Sequence, residues 1–349
     1  MEGHVSADPG PQFVDDLFAR LLIDDAWALR DERSFSWWPH RVVQRVHAEE
    51  AVGEGDAAAS RVHVETDVLF ADSVTLRQAG VLADLLRYPP LASFVVDRED
   101  GVVRLWSAAL VTRETAPIAL GFLSASAALQ AIYAEGGREG LEDELGLPAA
   151  RSEHPRSGSR PHPDGMLDLL SARIAPEGAK GSRFTDPADW IAAAGALGPF
   201  GARAEASPRG LDARLPFLDP LEGTHPLGPR ASALLQARHG DRHAEMGAGV
   251  FLRLFLPSDA APATADVALN LNQKEREVPF AIDATGAWTL ESPDASFEFG
   301  TLAGTLRLCY VRFVPNALHL PGLLPALAVD MARRADAARE HLHEVVSTG

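Results

Sequence analysis

Apolar residues recur at helical spacing through residues 13–30, where Phe13, Leu17 and Leu21 form one stripe and Phe18, Leu22 and Ala26 the next. Asp15 and Asp16 stand near the start, where the helix dipole favours acids, so an amphipathic helix is predicted. Alternation takes over in residues 41–47 and 61–69, two β-branched runs separated by a Gly/Ala/Asp-rich stretch, which predict a strand, a loop and a strand. Asp72-Ser73 then caps a helix carrying Leu76, Ala79, Leu82, Leu85 and Leu86, and Pro89-Pro90 stops it. Strands over 94–97 and 102–112 follow, joined by the turn Arg98-Glu99-Asp100-Gly101. Pro117 sits just inside a last helix that is expected to run to about Glu135, before Gly136-Gly137.

Residues 137–165 lose this periodicity and are rich in Gly, Pro, Ser and charge, which predicts a linker. The expected organisation is a flexible N-terminus over 1–12, a first unit over 13–136, the linker, and a second unit over 166–349. Within the second unit a short helix is predicted over 187–197, followed by a Pro-rich insert at about 198–230 made of loops and edge strands. Displacing the chain on itself by 203 positions puts Ala92-Ser93-Phe94 on Ala295-Ser296-Phe297, Arg104-Leu105 on Arg307-Leu308, and the helix from Leu120 on one from Leu323. Upstream, 60–69 and its following helix match 249–256 and 263–277 in order, and His47-Ala48-Glu49 matches His243-Ala244-Glu245. The strand pair near 280–282 and 286–291 then counts as an insertion. The element order therefore predicts a duplicated α+β fold: two related units, each an antiparallel sheet with packed helices.

Composition narrows the functional classes. The chain has 349 residues, 46% of them hydrophobic and 23% charged, enough to bury the cores of two domains without disulfides or metals. Its formal net charge of -17 comes without a basic stripe, which argues against nucleic-acid binding. The densest basic stretch, Arg151, His154, Arg156, Arg160 and His162, falls in the expected linker and reads as solvated. Cys309 is the only cysteine; it lies in an apolar run as a buried, inert thiol, and a cytoplasmic location is expected. Residues 1–11 lack a signal-peptide pattern, and no charge-free apolar run of membrane-spanning length is expected, hence no membrane partner. Heavy use of Ala, Arg, Gly, Asp and Leu with two lysines matches the usage of GC-rich bacterial genomes.

The element order, carried by residues 35–69 with Trp37-Trp38-Pro39, by the hairpin 94–112, and by Tyr310-Val311-Arg312-Phe313-Val314-Pro315-Asn316-Ala317-Leu318 leading into the Pro321-Gly322-Leu323-Leu324 helix, resembles the fold of type III secretion chaperones and YbjN-like proteins in tandem. The resemblance implies a non-enzymatic, chaperone-like protein-binding module without a cofactor. Type III chaperones are shorter, single units that lack the Pro-rich insert.

Individual residues refine that expectation. Trp37 and Trp38 are adjacent, so one is expected in the core and the other exposed beside Arg41 and Arg45 as a contact hot spot. Arg307 and Arg312 alternate with apolar neighbours and are expected on a solvated face that receives an acidic partner segment. His239, Asp241, His243 and Glu245 alternate like metal ligands on one strand face; the same stretch, with Gly240 and Asp241 as turn formers, also suits a charged hairpin tip. His47 and His63 are expected to face each other across neighbouring strands. The expected partner is another protein or protein segment, with a homo-oligomer open. The alternative is a small-ligand or metal-binding sensor or enzyme with its site between the two units, drawing on Arg41, His47, His63 and residues 239–243. A third is a structural subunit of an assembly. No phosphate loop, G-x-S-x-G elbow, Cys/His pair or H-E-x-x-H is present in the sequence.

Overall fold

The computed structural model describes residues 8–85, 91–174, 181–216, 232–243, 246–257, 263–278, 280, 286–293 and 306–347. Among them one order of elements occurs twice. First come α1 (Gly10–Leu21), β1 (Ala28–Asp31), β2 (Ser34–Trp37), β3 (Gln44–Ala48), β4 (Ser60–Phe70), α2 (Leu76–Leu85), β5 (Ser93–Asp97), β6 (Val102–Val111) and α3 (Ala116–Leu145). After α4 (Met166–Ile174), the order repeats as α5 (Pro187–Ala196), β7 (Arg203–Ser207), β8 (Gly210–Pro216), β9 (Ser232–His243), β10 (Gly247–Phe255), α6 (Ala265–Glu275), β11 (Gly286–Glu291), β12 (Arg307–Pro315) and α7 (Leu323–Ser347). Both sheets are antiparallel, with strand orders β1-β2-β3-β4-β6-β5 and β11-β12-β10-β9-β8-β7, which are the same topology. The fold is α+β with two similar units. Arg104-Leu105 and Arg307-Leu308 lie in β6 and β12, which hold equivalent places. Residues 286–291, expected as an insertion, instead form β11, the counterpart of β5; Ala295-Ser296-Phe297 lies outside the described residues.

The helix expected over 13–30 stops early. Leu22 turns left-handed at φ 54°, Asp24 caps a single 3-10 turn by accepting from the Ala26 N–H, and the chain then extends into the β1–β2 hairpin. The N-terminus is tied down from Asp8 onward. Its carboxylate accepts from the Arg33 guanidinium, from the Ser60 hydroxyl (2.6 Å) and from the Gly10 N–H (2.8 Å). Burial raises the Asp8 pKa, but those hydrogen bonds outweigh it and hold the carboxyl at about 2. A depressed carboxyl stabilises the fold above its unfolded pKa of 3.8 and loses that contribution as pH falls through about 2. Asp8→Ala is expected to cost about 1 kcal/mol at neutral pH, allowing for solvent screening, and nothing below pH 2; urea titrations at the two pH values check it.

The chain folds into two compact units that are not continuous halves of the sequence. The first comprises Met1–Val74, Pro90–Ile174 and Pro279–Thr285; the second comprises Thr75–Pro89, Ala175–Val278 and Gly286–Gly349. Helix α2 thus belongs to the second unit, where it packs on α6 and β11 and the Ala83 carbonyl accepts from the Thr289 hydroxyl (2.7 Å). In the first unit the Phe280 carbonyl accepts from the Leu110 N–H (3.2 Å).

The expected linker is structured too. Helix α3 runs through Gly136, Gly137 and Gly140 to Leu145 because Arg138, Leu141 and Leu145 are buried along it, and α1 and α4 pack on it. Residues 146–164 then fold back: Ala150 N–H donates to the Val68 carbonyl, Ser152 N–H to Arg41 and Asp164 N–H to Pro39. Residues 116–134 carry no charge, contrary to the expectation of no such run, and α3 is one helix long and apolar enough to cross a membrane by length and composition. In this fold it packs on β4 and β6 as a core helix.

Candidate functional site

The first sheet ends on β1 at one side and on β5 at the other. Trp38 N–H donates to the Trp27 carbonyl, which marks 27/38 as a hydrogen-bonded pair, so alternate residues Ala28 and Arg30 turn their backbone groups outward. The Ala28 N–H is used by the Asp25 carbonyl of the 3-10 turn. Among the described residues, that leaves the Ala28 carbonyl and both backbone groups of Arg30 as an open rung. Trp27 and Leu29, two residues apart and both half-buried, present apolar surface beside it.

Residues that the sequence marked as solvated hold Trp27 in place. The ring of His154, itself buried, stands edge-on to both Trp27 (5.9 Å) and Trp38 (4.9 Å), and its Nδ1 accepts from the Ser157 N–H. Arg160 lies 5.4 Å from the Trp27 ring centre and donates to the Trp38 carbonyl and to Asp164, both at 3.0 Å. The partly exposed tryptophan beside an arginine is therefore Trp27. Trp37 and Trp38 are both buried, at 0% and 5% exposure, which corrects the expectation that one is exposed; Trp38 Nε1 donates to Ser152. Trp27 was missed because it lay inside the predicted helix. The Asp24-Asp25 pair was the available signal, since a capping aspartate breaks a helix as readily as it starts one.

Arg41 is exposed, with its guanidinium 3.6 Å from Glu139 and its backbone N–H donating to Glu135. Arg45 donates to both oxygens of Asp67 at 2.8 Å, on the sheet face away from α3. On that face Arg104, buried, also binds Asp67 (2.8 Å), Asp97 (2.6 Å) and Asp100. Burial works against the Arg104 charge, but the bonds to Asp100 and Asp67 outweigh it and raise its pKa above the usual arginine value. His47 and His63 do face each other across β3 and β4, with stacked rings 4.5 Å apart. The Trp106 indole N–H donates to His63 Nδ1 (3.2 Å), so Nε2 carries the proton and donates to Glu49 (2.8 Å). Both His63 nitrogens are committed, which leaves no lone pair for a metal.

Arg307 and Arg312 are five residues apart, an odd spacing that puts them on opposite faces of β12. Both are buried, Arg312 completely, rather than on a solvated face. Arg312 donates to Asp330 of α7 (2.8 Å), and Arg307 reaches the Leu256 carbonyl. The alternation of His239, Asp241 and His243 is broken as well. His239 pairs with Val250 but Arg242 with Ala248, so Gly240 and Asp241 together oppose Gly249 in a β-bulge, with Gly240 at φ +106°. The extra residue turns His243 to the other face. There it packs against Phe313 (5.1 Å), whereas His239 stacks on Trp190 (5.8 Å) and bonds the Pro208 carbonyl. Asp241 is exposed, 3.8 Å from Arg253, and Glu245 lies outside the described residues. Among the described residues no group of three or more His, Cys, Asp or Glu is placed to hold a metal ion. Cys309 is buried, and burial pushes its thiol pKa well above the ordinary value.

No family model, no curated protein and no solved structure matches this chain.

Proposed function

We propose that this chain is a non-enzymatic, chaperone-like protein-binding protein, and that it holds an extended segment of another protein against the open edge of β1. The observation that carries this reading is the unpaired Arg30 rung next to half-buried Trp27 and Leu29. Adding a strand to such an edge supplies main-chain hydrogen bonds for affinity, and the two apolar side chains select a segment whose own apolar residues alternate. The order of strands and helices within each unit resembles the one expected of type III secretion chaperones and YbjN-like proteins, and it supports the same class of function.

The test is native mass spectrometry of the protein made in its own host, with two variants at one position. Arg30→Ala removes the side chain, which pairs with Asp15 (2.5 Å) and lies over Phe18 (4.1 Å), but keeps the edge N–H. Arg30→Pro removes the same side chain and the N–H, without touching the β1–β2 rungs. A co-purifying polypeptide retained by Arg30→Ala and weakened at least about tenfold by Arg30→Pro supports edge binding. Equal retention by both, or a chain that carries no polypeptide at all, overturns it.

A further inference from the structure

The second sheet ends on β7, and this edge differs from β1 in being self-complementary. In the β7–β8 hairpin Arg203 lies opposite Arg214, and Glu205 opposite Asp212, whose carboxylate is taken by Arg238 (2.7 Å), so neither charged residue of the edge strand has an opposite charge directly across from it in its own hairpin. Like charges directly opposite are destabilising. Arg203 and Glu205 are exposed, and among the described residues neither makes an ion pair.

The register of the hairpin decides which backbone groups are open. Ser207 and Gly210 flank a two-residue turn, Pro208-Arg209, and form its closing pair, so the outward backbone groups are those of Ala204 and Ala206. Gly210, at φ +144°, is required there, since a Cβ would meet the Ala237 carbonyl oxygen at 2.0 Å. A strand added antiparallel to β7 must hydrogen-bond through those alanines. When the added strand is β7 of a second copy, few registers remain. Centring the pair on Arg203 opposes arginine to arginine, and centring it on Glu205 opposes glutamate to glutamate. Centring it on Ala204 places Arg203 across from Glu205 of the other copy, twice, in the closely spaced rungs where side chains lie nearest.

Helix α5 packs on β7 and β8 next to this edge. Its inner face buries Trp190 and Ala193, and its outer face exposes Ala188, Ile191, Ala192 and Gly195, with Ile191 65% exposed. The equivalent helix of the first unit, α1, exposes Gln12, Asp15, Asp16 and Arg20 instead. A twofold axis through Ala204 brings two α5 helices together on one side of the joined sheet, where small side chains permit close approach.

We infer that the β7 edge and the outer face of α5 form a twofold interface between two copies of this chain, joined in the Ala204-centred register by reciprocal Arg203–Glu205 pairs. The interface lies on the second sheet and is independent of the client edge on the first.

The experiment is sedimentation equilibrium of the full chain at micromolar concentration, with circular dichroism confirming that each variant is folded. The wild type is expected at twice the chain mass. Arg203→Glu and Glu205→Arg, each placing like charges on both rungs, should weaken association at least about tenfold. Mixing those two variants restores opposite charges on both rungs, so the mixture should recover a heterodimer that neither forms alone. Ala204→Pro removes the central donor and should give monomer. A monomeric wild type, or a dimer that survives all three substitutions, overturns the inference; recovery in the mixture is the result that a merely structural role of these side chains does not produce.

Discussion

Asp330→Ala should lower the unfolding free energy by about 3–5 kcal/mol, the cost of breaking a buried ion pair by removing one partner. Asp330 Oδ2 accepts from Arg312 and from Arg334, both at 2.8 Å, and all three residues are almost wholly buried between β12 and α7. Arg334 also donates from Nε to both oxygens of Glu275 on α6, and Glu275 accepts from the Trp288 indole. Two cations and two anions thus balance inside the second unit, and deleting Asp330 leaves a surplus positive charge in a place closed to water. Urea unfolding measures the change; a loss below about 1 kcal/mol would mean the guanidiniums are held by other groups. At the centre of the corresponding interface in the first unit the contacts are neutral: Gln130 of α3 bonds Thr66 of β4 and Ser107 of β6, and Gln44 of β3 bonds Thr66. Two sheets of the same topology therefore carry different chemistries on their helix-facing sides. Seating α7 on the first sheet would bury Asp330 and Arg334 without their partners, so the networks also keep two similar units from exchanging helices.

The second large effect concerns the chain cut between residues 165 and 166. Residues 1–165 carry α2 without α6 and β11, and residues 166–349 keep those two elements but lack α2, which belongs to their compact unit. Neither fragment alone is expected to show a cooperative thermal transition, while the two co-expressed should assemble and melt as the intact chain does. A sharp transition from monomeric 1–165 would show that the exchanged helix contributes little.

Much of this architecture was readable because strand periodicity survives burial. The runs at 61–69 and 102–112 became β4 and β6, the repeat matched β12 to β6 in the strand order, and the facing of His47 and His63 followed from alternation alone. The errors share one physical origin, which is that local pattern does not report what lies beyond the neighbouring residue. Arg312 alternates with apolar residues as a surface arginine does, and a carboxylate 18 residues on, Asp330, accepts from its buried guanidinium. The bulge at Gly240 cost one residue of register and moved His243 to the opposite face from His239. The basic stretch from Arg151 to His162 resembles a linker in composition, yet His154 is enclosed by two indoles that lie more than a hundred positions earlier. The candidate site at β1 was illegible because Trp27 and Leu29 continued a helical spacing that Leu22 had already ended.

The interleaving of the two compact units also sets a timetable for synthesis. The Phe280 carbonyl that completes the Leu110 rung leaves the ribosome about a hundred residues after Ile174, on the order of ten seconds later at ordinary elongation rates. Throughout that interval the first sheet exists without one of its pieces, and α2 waits with Ala79, Leu82 and Ala83 uncovered for a helix and a strand not yet made. For a protein whose own proposed task is to shelter other chains, the most exposed moment of its life is its birth, and general chaperones are the natural attendants of that interval.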